Sequence, residues 1–218
     1  TTVGVNRTLG VNDFYAGDLD TNGNFDFDVF GVGNAGTGSV TNAGAAGFGI
    51  EVVAGASAGQ MGSGEYLMAG HDGTANIVIS YDDNNSDTIT DRWNRAWYVD
   101  KTGALDATLA FDFEDAGLAL PSPGTTFTLL YSADSNFSDG FQILAETNSI
   151  SSGTVAFSLA NALLLDGYYT LGMLSIVPEP TSLTLLLGVL GCGMMSRRKV
   201  RRPSGECYRA IARHAESA

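Results

Sequence analysis

The chain has 218 residues, with 24 Asp and Glu against 11 Lys and Arg, a formal charge of −13, 28 glycines and only two cysteines. An acid excess of this size repels phosphate backbones and excludes nucleic acid as a partner. Cys192 and Cys207 both lie near the C-terminus, so residues 1–176 form no disulfide of their own and depend on an apolar core or on bound ions.

The charge is divided sharply along the chain. Residues 1–176 hold 21 acids against four basic residues, Arg7, Arg92, Arg95 and Lys101, whereas the segment from Thr181 onward is basic. The sequence predicts four regions: an acidic N-terminal segment over 1–30, read as a fragment of a longer chain or as the first strands, a β-sandwich ectodomain over 31–176, a membrane-directed segment over 177–202 and a cytoplasmic tail over 203–218. Thr1 is preceded by no Met and begins no leader-like pattern, which reads as a piece of a longer precursor.

In the first region, Asp18, Asp20, Asn22 and Asp26 place oxygens at positions 1, 3, 5 and 9 of a loop. Gly23 stands at position 6 for the sharp turn, and the carbonyl of Asn24 falls at position 7, as a hard, oxygen-seeking cation requires. This run resembles the calcium loops of EF-hand and dockerin repeats, and the resemblance implies Ca2+ held by Asp18, Asp20, Asn22, Asn24 and Asp26. It departs at position 12, where Val29 replaces the expected acid and Asp28 sits one place early. Phe25, Phe27 and Val29 also alternate as a strand, with Asp26 and Asp28 turned to solvent. The second reading is therefore an acidic turn leading into an edge strand.

From Gly31 to Gly73 the chain is dense in Gly, Ala, Ser and Asn, which punctuate turns and shorten strands. Gly47–Ala54 and Glu65–Gly70 read as strands within it. Beyond Gly73 the strand signal strengthens over Ala75–Tyr81, Arg92–Thr102, Leu105–Glu114, Phe127–Tyr131, Phe141–Ala145, Val155–Leu159 and Tyr168–Ile176. Leu105, Ala107, Leu109, Phe111 and Phe113 alternate with Asp106, Thr108, Asp112 and Glu114, the period of two that a half-buried antiparallel strand needs. No helix-period pattern of useful length precedes Val177. The predicted fold is all-β, an antiparallel β-sandwich, followed by a short C-terminal transmembrane helix.

The runs FGVGNAG (30–36), EYLMAGHDG (65–73) and RWNRAWYVDKTG (92–103) resemble β-sandwich modules of large bacterial surface proteins. The resemblance implies a structural or adhesive module and carries no catalytic residue across.

Candidate chemistry in the ectodomain is sparse. Asp112 and Glu114 share a strand face, as paired glycosidase carboxylates do, but a solvated face explains them more simply in so acidic a domain. His71 is the one ectodomain histidine and, with no ectodomain cysteine, leaves too few ligands for a transition-metal site. Ser57 lies in a Gly-x-Ser-x-Gly run, where a nucleophile elbow would have to lead into a helix; QMGSG follows instead, so a plain loop is expected. Trp93 and Trp97 share a face, as a sugar platform or, more simply, as core.

The last region is the most distinctive. Val177-Pro178-Glu179-Pro180 forms a rigid extended turn, Thr181–Ser196 is a nearly continuous apolar run, and Arg197, Arg198, Lys199, Arg201 and Arg202 follow at once. Basic residues beside an apolar segment remain cytoplasmic, which places the preceding chain outside that membrane. Sixteen residues span roughly 24 Å against a hydrocarbon core of about 30 Å, short for a permanent anchor. The three features in this order resemble the PEP-CTERM sorting signal of bacterial envelope proteins, and the departure is that Pro203–Ala218 continues past the arginines. The resemblance implies an exosortase partner in the inner membrane and cleavage near the Pro-Glu-Pro. Two functions are carried forward: a non-enzymatic envelope or extracellular-matrix module, which is expected, and a glycan-binding or glycan-active sandwich contacting exopolysaccharide or other surface glycans.

Overall fold

The computed structural model describes residues 8, 9, 12, 13, 15–34, 36, 39–55, 60–81, 89–137 and 140–174. The chain divides into two units, Thr1–Ile176 and Val177–Ala218. The second unit carries the expected sorting signal (Val177, Pro178, Glu179, Pro180, Arg197, Arg198, Lys199) and the expected transmembrane helix, and it lies outside the described residues. Among the described residues no helix is long and apolar enough to cross a membrane.

The first unit is all-β. Its strands are β1 (Thr8–Leu9), β2 (Asn12–Asp13), β3 (Phe27–Asn34), β4 (Ser39–Val40), β5 (Asn42–Ala45), β6 (Phe48–Ala54), β7 (Tyr66–His71), β8 (Val78–Ser80), β9 (Asp91–Trp93), β10 (Trp97–Thr102), β11 (Asp106–Asp112), β12 (Thr126–Ser132), β13 (Gln142–Thr147), β14 (Thr154–Leu159) and β15 (Gly167–Leu174). Two short 3-10 turns, Ala16–Asp18 and Asp20–Asn22, precede β3. Every strand pair is antiparallel. The larger sheet runs β13-β12-β15-β10-β7-β3-β4, with β9 also beside β15 and β8 beside β9; the smaller runs β14-β11-β6-β5.

The expected alternation of β11 decides how the sheets meet. Ala107, Leu109 and Phe111 are fully buried, while Asp106, Thr108 and Asp112 lie on the opposite face. Phe111 meets Phe48 at 5.0 Å and Trp93 at 5.4 Å between ring centroids, and Phe48 stacks on Trp97 at 5.1 Å. These rings come from both sheets, so one apolar layer fills the space between them. Aromatic pairs at such separations add to the benefit of simple burial. The result is β-sandwich-like, as the strand pattern predicts.

Two features depart from the sequence reading. Arg92–Thr102 is not one strand: it breaks at Asn94–Ala96 into β9 and β10. The Thr170 hydroxyl lies 3.0 Å from the Trp93 carbonyl and 2.9 Å from that of Arg95 and shares its one proton between them, in place of ladder partners at the break. The boundary expected at residue 30 falls inside a strand, since β3 crosses it and pairs with β7 in the larger sheet.

The outer face of the larger sheet is covered as well. Tyr98, Leu130 and Tyr168 point away from the first core into a second buried cluster with Tyr15, Phe25, Ile89, Ala96 and Phe137. A sheet buried on both faces needs apolar residues at successive positions, and seven of the eight residues of β15 are buried.

Candidate functional site

The loop over 15–26 builds one edge of the candidate region. The Tyr15 hydroxyl donates to the Phe25 carbonyl (2.7 Å), the Phe25 N–H donates to the Gly17 carbonyl (2.7 Å), and the Asn22 carboxamide donates to the Ala16 carbonyl (2.7 Å). Gly23 and Asn24 both take positive φ, +82° and +59°, which turns the chain back on itself. Two bonds tie the loop to the sheet: Ala16 N–H to the Asp100 carboxylate (2.6 Å) and Tyr168 hydroxyl to the Asn22 carbonyl (2.7 Å). Gly70 of β7 makes room for it, because a Cβ there would stand 2.5 Å from the Phe25 carbonyl oxygen. Burial first, then the charges of Asp18 and Asp100, push the Tyr15 hydroxyl far above the usual phenol range.

Of the five residues expected to hold calcium, Asp18 ends the first 3-10 turn, Asp20 and Asn22 bound the second, and Asn24 and Asp26 lead out toward β3. Asn22 donates its side-chain N–H to the Ala16 carbonyl, and its backbone carbonyl accepts from the Tyr168 hydroxyl. Among the described residues no group of three His, Cys, Asp or Glu side chains is placed to hold a metal ion, and the Asp20 side chain lies outside what is described. The visible closure of this loop is made by protein donors and acceptors.

Beyond Phe25 the expected strand alternation breaks at Phe27, which is exposed together with Asp28. The ladder with β7 slips between Phe27 and Phe30, and Asp28 sits at φ +47°. Phe27 is exposed, at 39 %, and Asp28, with its side chain 45 % exposed, still reaches His71. This bulge sets up the second half of the region. His71 ends β7 and is 2 % exposed. Its Nδ1 accepts the Gly73 N–H (2.9 Å), which fixes the proton on Nε2, and Nε2–H donates to Asp28 Oδ2 at 3.0 Å. Trp97 meets the ring edge-on at 4.7 Å and Phe27 stacks on it at 5.9 Å.

Both imidazole nitrogens are thus committed, and His71 has none left for a substrate, a metal or a nucleophile. Ser57, its conceivable partner, lies outside the described residues; Gln60–Glu65 after it forms a bridge and a turn, with no helix. Asp112 is equally occupied: Thr154 Oγ1–H donates to it at 2.7 Å and Asp115 N–H at 2.9 Å. These bonds, the Asp115 N–H foremost, hold its carboxyl below the usual range. Glu114 lies beyond β11 at a shallow groove with Leu118, Leu120 and Ser152. Trp93 and Trp97 are fully buried and form no platform.

Burial, with Arg95 adding to it, lowers the His71 pKa, and the bond and charge of Asp28 and the charge of Asp72 oppose this only in part. The folded state therefore favours the neutral ring. Its contribution to stability is complete above the unfolded value of about 6.5 and is lost as pH falls below it through the lower folded value. The melting temperature is expected to drop between about pH 7 and pH 5. His71→Asn, which keeps an acceptor near Gly73 and cannot titrate, should flatten that part of the profile. An unchanged slope in the variant would assign the pH dependence elsewhere.

Sequence reasoning did not reach Asp28 as a partner of His71, because 43 residues separate them and only the bulge brings them together. Glu65 was equally hidden: its buried carboxylate accepts N–H groups from Gly62 (2.5 Å) and Ala104 (3.1 Å), tying two turns to the start of β7.

Fold and site together define an all-β, β-sandwich-like domain whose larger sheet is buried on both faces at its central strand β15. The chain belongs to the family described as Domain of unknown function (DUF8202), whose model matches residues 18–162, from within the loop to just short of β15. No curated protein matches the chain, and no solved structure matches it.

Proposed function

We propose that the chain is an exported bacterial envelope or extracellular-matrix protein, sorted through a PEP-CTERM signal and acting as a structural or adhesive module. The observation that carries this reading is the order Val177-Pro178-Glu179-Pro180, apolar run, Arg197-Arg198-Lys199. A turn, a short apolar helix and a basic stop are what a membrane protease needs to find one bond. The basic end stays cytoplasmic and the prolines sit at the outer boundary. An exosortase is the implied partner, the inner membrane the transient location and the cell surface or its matrix the destination.

The non-catalytic reading of the ectodomain is supported by its occupied groups. His71 has both nitrogens in hydrogen bonds, and Asp112 is bound by Thr154 and Asp115. The glycan-active alternative draws on the exposed acids of the smaller sheet, and its aromatic platform is missing because Trp93 and Trp97 are buried.

Replacing Pro178, Glu179 and Pro180 together by alanine is expected to trap the precursor in the inner-membrane fraction, with little of it released. Release equal to wild type would mean that the Pro-Glu-Pro is not read, and would remove the sorting proposal.

A further inference from the structure

Lys101 is the only lysine before Val177, in a region that holds 21 acids. Among the described residues no carboxylate lies within ion-pair distance of it. Its ammonium donates instead to two oxygens of one residue, the Asn161 side-chain Oδ1 at 2.7 Å and the Asn161 backbone carbonyl at 3.0 Å. Three further bonds fix the pair. Leu105 N–H donates to the same Oδ1 at 3.2 Å. Lys101 N–H donates to Asp166 Oδ1 at 2.8 Å, and Asn161 N–H donates to Asp106 Oδ1 at 2.7 Å, so the backbone on each side is pinned.

The two residues belong to different sheets. Lys101 is the penultimate residue of β10 in the larger sheet, and Asn161 follows the end of β14, an outer strand of the smaller one. Their contact therefore joins the sheets directly. Both residues are half-buried, so solvent still reaches them. A lysine that exchanges hydration for amide oxygens keeps an unpaired charge and gives up rotamer freedom. What the geometry gains is an amine held against the carbonyl group of a primary amide, which a second donor, Leu105 N–H, also polarises. Positioning of this kind turns a slow encounter into an intramolecular reaction.

We propose that Lys101 and Asn161 are the two ends of an intramolecular amide cross-link that forms once the domain has folded. Lys101 first gives one ammonium proton to solvent. The freed Nζ pair attacks Asn161 Cγ, the new N–C bond forms, and the C=O π pair moves onto Oδ1, where Leu105 N–H holds the charge. The intermediate collapses by breaking Cγ–Nδ2. Nδ2 takes one proton from Nζ and leaves as ammonia, which solvent protonates. One lysine ammonium and one carboxamide thus become a secondary amide and an ammonium ion, with no other reactant consumed. The link closes the chain from Lys101 to Asn161 across both sheets. It constrains the unfolded state as a disulfide does, in a region with no cysteine. The assignment is independent of how the chain is sorted.

The test uses the full chain, purified in the folded state, kept in mildly alkaline buffer and sampled over time. Each sample is unfolded and its intact mass is measured. The expected result is a chain lighter by one ammonia, in which trypsin no longer cuts after Lys101. Chymotryptic digestion should then yield one branched peptide that joins the segments around Lys101 and Asn161. Lys101→Arg, which keeps the charge and much of the reach, and Asn161→Ala should both retain the full mass. A wild-type chain that keeps its full mass and its tryptic site at Lys101 throughout overturns the proposal. So does a loss of ammonia that leaves that site intact or persists in Lys101→Arg, because another amide, such as Asn22 beside Gly23, would then be its source. The wild-type chain gives the answer whether or not either variant folds.

Discussion

Phe111→Ala is expected to lower the unfolding free energy by about 3–5 kcal/mol, whereas Asp112→Ala, one residue on, should cost about 1 kcal/mol. Phe111 is fully buried and packs against Phe48, Trp93 and Phe157, with centroid distances of 5.0, 5.4 and 6.3 Å. Its partners come from both sheets, so removing the ring leaves a cavity that neither sheet can close alone. Asp112 loses only the bonds from Thr154 and Asp115 at the surface. Urea unfolding of the two variants measures the difference directly. Equal midpoints would mean that β11 does not face the core with its aromatic side.

Phe25→Ala is the second large effect, about 3 kcal/mol, and it should appear locally before it appears globally. Phe25 is 1 % exposed and lies 5.0 Å from Tyr168 and 6.3 Å from Tyr98, centroid to centroid, on the outer face of the larger sheet. Without this ring the loop over 15–26 keeps its hydrogen bonds to Asp100 and Tyr168 and loses its main apolar anchor. Hydrogen exchange at the Phe25 amide, which is bonded to the Gly17 carbonyl, should accelerate by far more than exchange within β11. Uniform acceleration across both sheets would show instead that the loop and the sandwich unfold as one unit.

These two residues also mark how far the sequence alone could be read. Phe111 was legible because β11 is wet on one face and dry on the other, so alternation names its partners' side without any long-range information. β15 was legible only as a strand, not as a central one. Its consecutive Tyr168, Tyr169, Thr170 and Leu171 are all buried because a second layer, built from the loop over 15–26 and from Ile89 and Phe137, covers the other face. No local pattern announces such a cover. The loop itself was visible as a turn from Gly23 and its neighbours. Its docking depends on Gly17 and Gly70, whose missing side chains matter only once the two surfaces meet.

The candidate site was less legible than the fold. His71 could be singled out as the lone ectodomain histidine, but its role is set by Asp28, Gly73 and Trp97. The bulge at Asp28 lets a carboxylate whose side chain stays 45 % exposed reach the buried ring as well. Arg92 was read only as the start of a strand. The break at Asn94–Ala96, held by Thr170, places its side chain between Tyr81 and Phe137. Both cases turn on irregular backbone, where a period-two reading has least to say.

The sorting of the chain is tested most directly by the mass of the exported protein. The mature form should be collected from outside the inner membrane, measured intact, and then digested for its C-terminal peptide. Cleavage near Pro178–Pro180 predicts a mass short of the full chain by the basic segment, and a last peptide that ends close to Val177. An exported form that still carries peptides from Arg209 to Ala218 would contradict it.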